Sequence, residues 1–145
     1  MNIYYSNLKG YKYFLEEDFE CLIPMRYKNT NTEYISLYSQ SKKSVMSLLT
    51  IRAGYMWDGP SGPTIDTKNF MRGALIHDAL YQLIREDYLK MNDRKQADKI
   101  LRKVCLEDGM SRIRAWYIYT AVHHFAEWAA TPKEDGEKKI ICLEY

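Results

Sequence analysis

The chain has 145 residues, 46% of them hydrophobic and 28% charged, with a formal net charge of +2. That length suits one ordinary domain with a core of its own, and the composition excludes a disordered chain. A charge so near neutral gives no reason to expect nucleic acid or an anionic membrane as the partner.

The thirteen tyrosines suit half-buried strands and binding surfaces alike. Cys21, Cys105 and Cys142 are widely spaced and odd in number, so they read as free thiols in a reducing compartment. The opening MNIYYSNLKGY lacks a basic start followed by an apolar run, so no signal peptide is expected. The most apolar window, residues 115–130, is broken by His123, His124 and Glu127 and is too short to span a bilayer. A cytoplasmic protein without a transmembrane segment is expected.

Residues 11–15 and 19–23 are short β-prone runs, and residues 33–38 alternate polar and apolar as a half-buried strand does. Residues 24–32 carry Pro, Asn and Thr and read as a loop, and residues 39–44 as a second polar connection. Residues 45–56 read as one longer, more buried strand. Such short strands predict a small antiparallel sheet or meander rather than a parallel βαβ sheet.

Residues 57–66, WDGPSGPTID, place two Gly-Pro units in a tight turn. Each proline fixes its own φ and removes a donor, so the loop is expected to be rigid, with exposed backbone amides that suit an oxyanion or phosphate. Asp58, Ser61, Thr64 and Asp66 are its polar candidates for ligand binding. Trp57 either stacks on a ligand or covers the core.

A helix is expected from Lys68, with Thr67 or Asp66 at its N-cap and Phe70, Ala74, His77, Tyr81 and Ile84 along one stripe. Asn92-Asp93 caps a second helix, 94–107, whose apolar stripe is Ala97, Leu101 and Val104. Asp98 lies at the edge of that stripe, where a carboxylate is costly to desolvate, so it needs a partner, and His77 is the expected one. Ser111 caps a third helix, roughly 112–130, with Trp116, Tyr119, Val122, His123 and Ala126 on one face. Its other face carries Tyr117, Thr120, His124 and Glu127, and His124 is a ligand candidate or a surface residue. Residues 138–144 read as a final strand returning to the sheet. The expected fold is α+β: a single domain, 1–145, with a small antiparallel sheet from the N-terminal third plus the C-terminal strand, packed on three helices. Basic residues, among them Lys95, Lys99 and Arg102, gather around the second helix, where they attract phosphate or form a solvated face.

His77, Asp78, Tyr81 and Asp98 form the compact group of potentially catalytic side chains. A His held by a buried carboxylate is a general base near neutral pH, because the carboxylate fixes the tautomer and stabilises the imidazolium. The expected division of labour is His77 as base, Asp98 as its orienter, Asp78 as metal ligand and Tyr81 as support, with activated water as the nucleophile. A divalent metal such as calcium is the cofactor that this arrangement admits. The His77-Asp78 pair alone does not make an HD phosphohydrolase, because no His precedes His77 to supply the further ligands.

Residues 54–130 resemble an uncharacterised family common in tailed phages and prophages, through the turn WDGPSGPT, the helix motif HDALY and Ala97-Asp98 on the next helix. That resemblance implies a phage or prophage origin and assigns no activity. HDALY followed by Ala97-Asp98 is also similar to the catalytic helices of phospholipase A2 enzymes. There the resemblance implies His77 as base, Asp78 as calcium ligand and Asp98 as support. The turn at 57–64 departs from the glycine-rich calcium loop of those enzymes, and the disulfides of their secreted types are missing.

Three functions are open on these residues. One is a hydrolase acting on an ester or phosphodiester. Another is a module that binds a small phosphorylated molecule, such as a nucleotide immune signal of a phage host, with or without cleaving it. The last is a virion structural or assembly protein in which the His-Asp pair is a satisfied buried contact. Nucleic acid is not expected as a partner, and self-association into a homo-oligomer stays open.

Overall fold

A computed structural model describes residues 3–8, 11–26, 29–39, 41, 43–58 and 67–129. They form an α+β fold of two small antiparallel sheets and three helices. The first sheet has the order β1-β2-β7, from Tyr5–Leu8, Tyr11–Leu15 and Met56–Trp57. The second has the order β3-β6-β5-β4, from Phe19–Ile23, Ser47–Ile51, Ile35–Ser39 and Thr30–Asn31.

Period-two patterning sets the second sheet. Phe19, Ile51 and Ile35 are in register across its three longer strands, as are Cys21, Leu49 and Leu37, and all six are buried. One-residue slippage would turn this whole set to solvent, so the register is strongly specified. The opposite face is more open, with Leu22 and Tyr38 both aligned to Leu48.

Two expectations about strands change. The run 45–56 is not one strand: it breaks after Ile51, and residues 56–57 belong to the other sheet. The break is built by local chemistry. The Arg52 guanidinium donates to the Thr32 and Glu33 carbonyls, each at 2.7 Å, and to Asn31 Oδ1 at 2.8 Å. Gly54 takes φ +91°, a conformation that favours glycine, and its amide donates to the Leu15 carbonyl at 2.8 Å. Residues 5–8 and 30–31 are strands that the loop-like composition of their surroundings conceals. The expected C-terminal strand, 138–144, lies outside the described residues.

The helices are α1 (Lys68–Arg85), α2 (Arg94–Glu107) and α3 (Arg112–Ala129). Thr67 stands at the N-cap of α1, but its hydroxyl donates to Asn69 Oδ1 rather than capping an amide. A 3-10 turn, Met91–Asp93, leads into α2, and Gly109 at φ +85° lies in the α2–α3 connection. The α1 stripe is buried as its spacing predicts, from Phe70 through Ile84. The buried face of α3 is carried by Ala115 and Ile118, whereas Trp116 is 57% exposed. Of the expected face, Val122 and His123 turn inward but Trp116 does not: small Ala115 packs with Phe70, Leu101, Cys105 and Met110, and the bulkier Trp116 stays outside.

Gly73 sets how closely α1 and α2 approach. A Cβ there would lie 2.8 Å from Cys105 Sγ and 3.0 Å from Leu101 Cδ1. Glycine inside a helix costs about 0.5–1 kcal/mol relative to alanine. Here it lets two backbones pack together one turn away from His77.

Candidate functional site: a buried carboxylate between two imidazoles

The α1–α2 contact places His77 and Tyr81, one helical turn apart, over Asp98. Asp98 has no exposed surface. Its Oδ1 lies 3.0 Å from His77 Nε2 and 2.7 Å from the Tyr81 hydroxyl. Its Oδ2 lies 3.2 Å from His123 Nδ1, contributed by α3. The His77 and Tyr81 rings lie against each other with centroids 4.1 Å apart.

Electrostatics fix the proton positions. Burial alone would raise Asp98, but hydrogen bonds from His77, Tyr81 and His123, with the His77 charge, outweigh it and hold its pKa below the ordinary 3.8. An ionised carboxylate only accepts, so His77 Nε2, Tyr81 Oη and His123 Nδ1 all carry the hydrogens of these contacts. Burial and then the Asp98 bond push the Tyr81 phenol well above its usual range, so it stays a neutral donor.

The two histidines differ in surroundings. His77 is buried, with Nε2 on Asp98 and Nδ1 3.8 Å from Asp78 Oδ1. Burial opposes its positive charge, yet the hydrogen bonds and charges of Asp78 and Asp98 prevail and raise its pKa above 6.5. Asp78 is itself raised, by burial first and then, among its causes, by the nearby Asp58 charge. His123 keeps about a third of its side chain exposed (31%), and its Nε2 has no hydrogen-bond partner among the described residues. This imidazole carries the buried cluster to the surface.

The sequence candidates are thus distributed unevenly. His77, Tyr81 and Asp98 come together, and Asp78 adjoins them. Asp58, at the end of β7, is exposed and close enough to act on Asp78 electrostatically. Trp57 is buried against Tyr13 and Tyr55, so of its two expected roles it takes that of core cover, not of a ligand-stacking surface. Its Nε1 has no hydrogen-bond partner among the described residues. Ser61 and Thr64 lie outside the described residues. His124 is exposed and stands edge-on to His123, with centroids 6.0 Å apart.

Among the described residues, no three His, Cys, Asp or Glu side chains are arranged to hold a metal ion. Asp78, the expected metal ligand, has its Oδ1 3.8 Å from His77 Nδ1. A cavity of about 720 Å³, lined in part by Tyr4, Tyr5, Lys68, Arg72 and Asp108, opens at the start of α1 and includes none of the Asp98 cluster.

His123 is the residue that sequence reasoning missed as part of the site. Its signal was present: Asp98 and His123 are equally far in sequence from the Met110–Ser111 junction, and so are Arg102 and Tyr119. Residues equidistant from the turn of an antiparallel helix pair face each other.

The chain belongs to the family described as Protein of unknown function (DUF1353), whose model matches residues 32–122, well over half of its length. That span holds β5, β6 and β7, and His77, Asp78, Tyr81 and Asp98, while His123 lies one residue beyond it. No curated protein and no solved structure matches the chain. No helix among the described residues is long and apolar enough to cross a membrane.

Proposed function

We propose that this DUF1353 protein is a hydrolase that activates water at the Asp98-held histidines to cleave an ester or phosphodiester. The observation that carries the reading is the contrast within one dyad: Asp98 is fully buried, while its partner His123 has 31% of its side chain exposed and an Nε2 without a hydrogen-bond partner among the described residues. A carboxylate in that position fixes the base tautomer and stabilises the imidazolium that forms.

In the reaction His123 Nε2 takes a proton from water as the water oxygen bonds to the acyl carbon or phosphorus. The bond to the leaving oxygen breaks, and the imidazolium returns the proton to that oxygen. Asp98 stays ionised throughout. His77 serves as a positioning residue, because its two nitrogens already face Asp98 and Asp78 and its raised pKa favours the charged form. The base role expected for His77 thus passes to His123, and Asp78 acts as the counter-charge of His77. No step needs a metal.

The resemblance carried by WDGPSGPT, HDALY and Ala97-Asp98 supports an origin in a tailed phage or prophage. Two buried free thiols, Cys21 and Cys105, support a reducing, cytoplasmic site of action. Both thiols are pushed up by burial to a pKa of about 12, so they are packing groups and not alternative nucleophiles.

The test uses the full chain with 4-nitrophenyl acetate and bis(4-nitrophenyl) phosphate. Turnover of either ester should fall about 10²–10⁴-fold in His123→Gln, the range for loss of a general base. Wild-type rates in both His123→Gln and Asp98→Asn, or no turnover of either ester by the parent protein, would sink the assignment.

A further inference from the structure

The Asp98–His123 contact is one side of a larger arrangement. Asp98 and Arg102 lie one turn apart on α2, and Tyr119 and His123 one turn apart on α3. The two pairs meet across the helix interface. His123 reaches Asp98, and the Arg102 guanidinium lies over the Tyr119 ring, 5.9 Å from its centroid. Tyr119 in turn stacks on His123, with centroids 5.7 Å apart and an interplanar angle of 11°. Three planar groups therefore form a ladder, Arg102–Tyr119–His123, whose foot is the buried carboxylate.

Arg102 is exposed and makes no ion pair or hydrogen bond among the described residues. This contrasts with Arg72, whose guanidinium is held by Asp108 and Glu107, and with Lys103, which pairs with Glu107. Stacking on Tyr119 limits the rotamer freedom of Arg102 and leaves its donors unspent. Lys95 and Lys99, also exposed, continue the same stripe of α2. A guanidinium fork held on the Tyr119 ring, which also stacks on His123, matches the paired oxygens of a phosphoryl group. A neutral carboxylic ester would leave that charge without a partner.

We infer that Arg102, Tyr119 and His123 form a phosphoryl-recognition site, so that the ester taken at this surface is an anionic phosphate ester rather than a neutral carboxylic ester. The choice of substrate rests on the hydrolase reading, whereas phosphoryl binding does not. Arg102 engages the non-bridging oxygens, and Tyr119 is a positioning residue that holds Arg102 and His123 in one plane stack.

The test separates the two statements. The full chain is titrated with inorganic phosphate at constant ionic strength, and the His123 Cε1–H resonance is followed by NMR. A saturable shift is expected, with affinity falling about tenfold or more in Arg102→Gln, as for loss of a charge-assisted contact, and partly restored in Arg102→Lys. No saturable shift, or an affinity unchanged in Arg102→Gln, overturns the inference. The same variants are then assayed with bis(4-nitrophenyl) phosphate and 4-nitrophenyl acetate. A raised KM for the phosphodiester alone supports Arg102 as the specificity residue. Equal turnover of both esters, unaltered by Arg102→Gln, overturns the phosphate preference while the hydrolase reading stands. Phosphate binding at Arg102 without turnover of either ester supports the site as a binding surface and removes the hydrolase reading.

Discussion

His123 Nδ1 binds the Asp98 oxygen that His77 leaves free, so one buried carboxylate holds two imidazoles from two different helices. This makes Asp98 the joint of the helical layer as well as the centre of the proposed chemistry. Removing it would leave buried donors on α1 and a loose contact on α3. A truncation at this position therefore cannot distinguish catalysis from folding, and single-group changes around it are the better probes.

Stability should depend on pH in two opposed ways. The lowered pKa of Asp98 contributes stability that is present above its ordinary value of 3.8 and is lost as pH falls through the lower folded value. The raised pKa of His77 contributes stability that is complete below 6.5 and is lost as pH rises through the higher folded value. Asp78, also raised, contributes a loss of stability that begins as pH rises above its ordinary 3.8. Melting temperature measured across acid to alkaline buffers should peak between those limits, and Asp98→Asn should flatten both flanks. A parent profile that stays level on both sides of that window would contradict the ionised Asp98 and charged His77.

Tyr81→Phe removes one of three donors to Asp98 without changing the shape of the core. The cost should be about 1.5–3 kcal/mol, the range for a hydrogen bond to a charged group, read from urea unfolding. Turnover per folded molecule should change little, because Tyr81 donates to Oδ1 and His123 uses Oδ2. A stability equal to the parent's would mean that His77 and His123 alone satisfy the carboxylate.

Gly73→Ala tests the helix spacing. Alanine favours helix by about 1 kcal/mol over glycine, but its Cβ would enter the space of Cys105 Sγ and Leu101 Cδ1, both buried. The net effect should be a loss of about 1–3 kcal/mol, typical of overpacking. The double variant Gly73→Ala with Cys105→Ala should recover part of it by emptying the obstructed space. Recovery read by urea unfolding would place the strain at this contact, and none would place it elsewhere.

Much of the helical layer was legible in the sequence because its signals are local. The spacing of Phe70, Ala74, His77, Tyr81 and Ile84 sets one buried face, and an acidic residue beside an apolar stripe, Asp98, demands a donor. The strands were harder. Residues 45–56 look continuous, and only the three-way hydrogen bonding of Arg52 with the positive φ of Gly54 cuts them into pieces of different sheets. Trp57 read as either a ligand platform or a cover for the core, and it packs inward on Tyr13 and Tyr55. His123 was hidden by its neighbour. Two adjacent histidines point about 100° apart on a helix, and which one turns inward is decided by Ala115 and Ile118, whose small and branched side chains seat α3 in the groove.

The missing side chain at Gly73 also acts as a fulcrum. Two helices that touch most closely at one point can rock about it, and displacement grows with distance along the lever. His77 lies one turn from that point, about 6 Å along the axis, so relative motion of α1 and α2 is smallest where the imidazole meets the carboxylate.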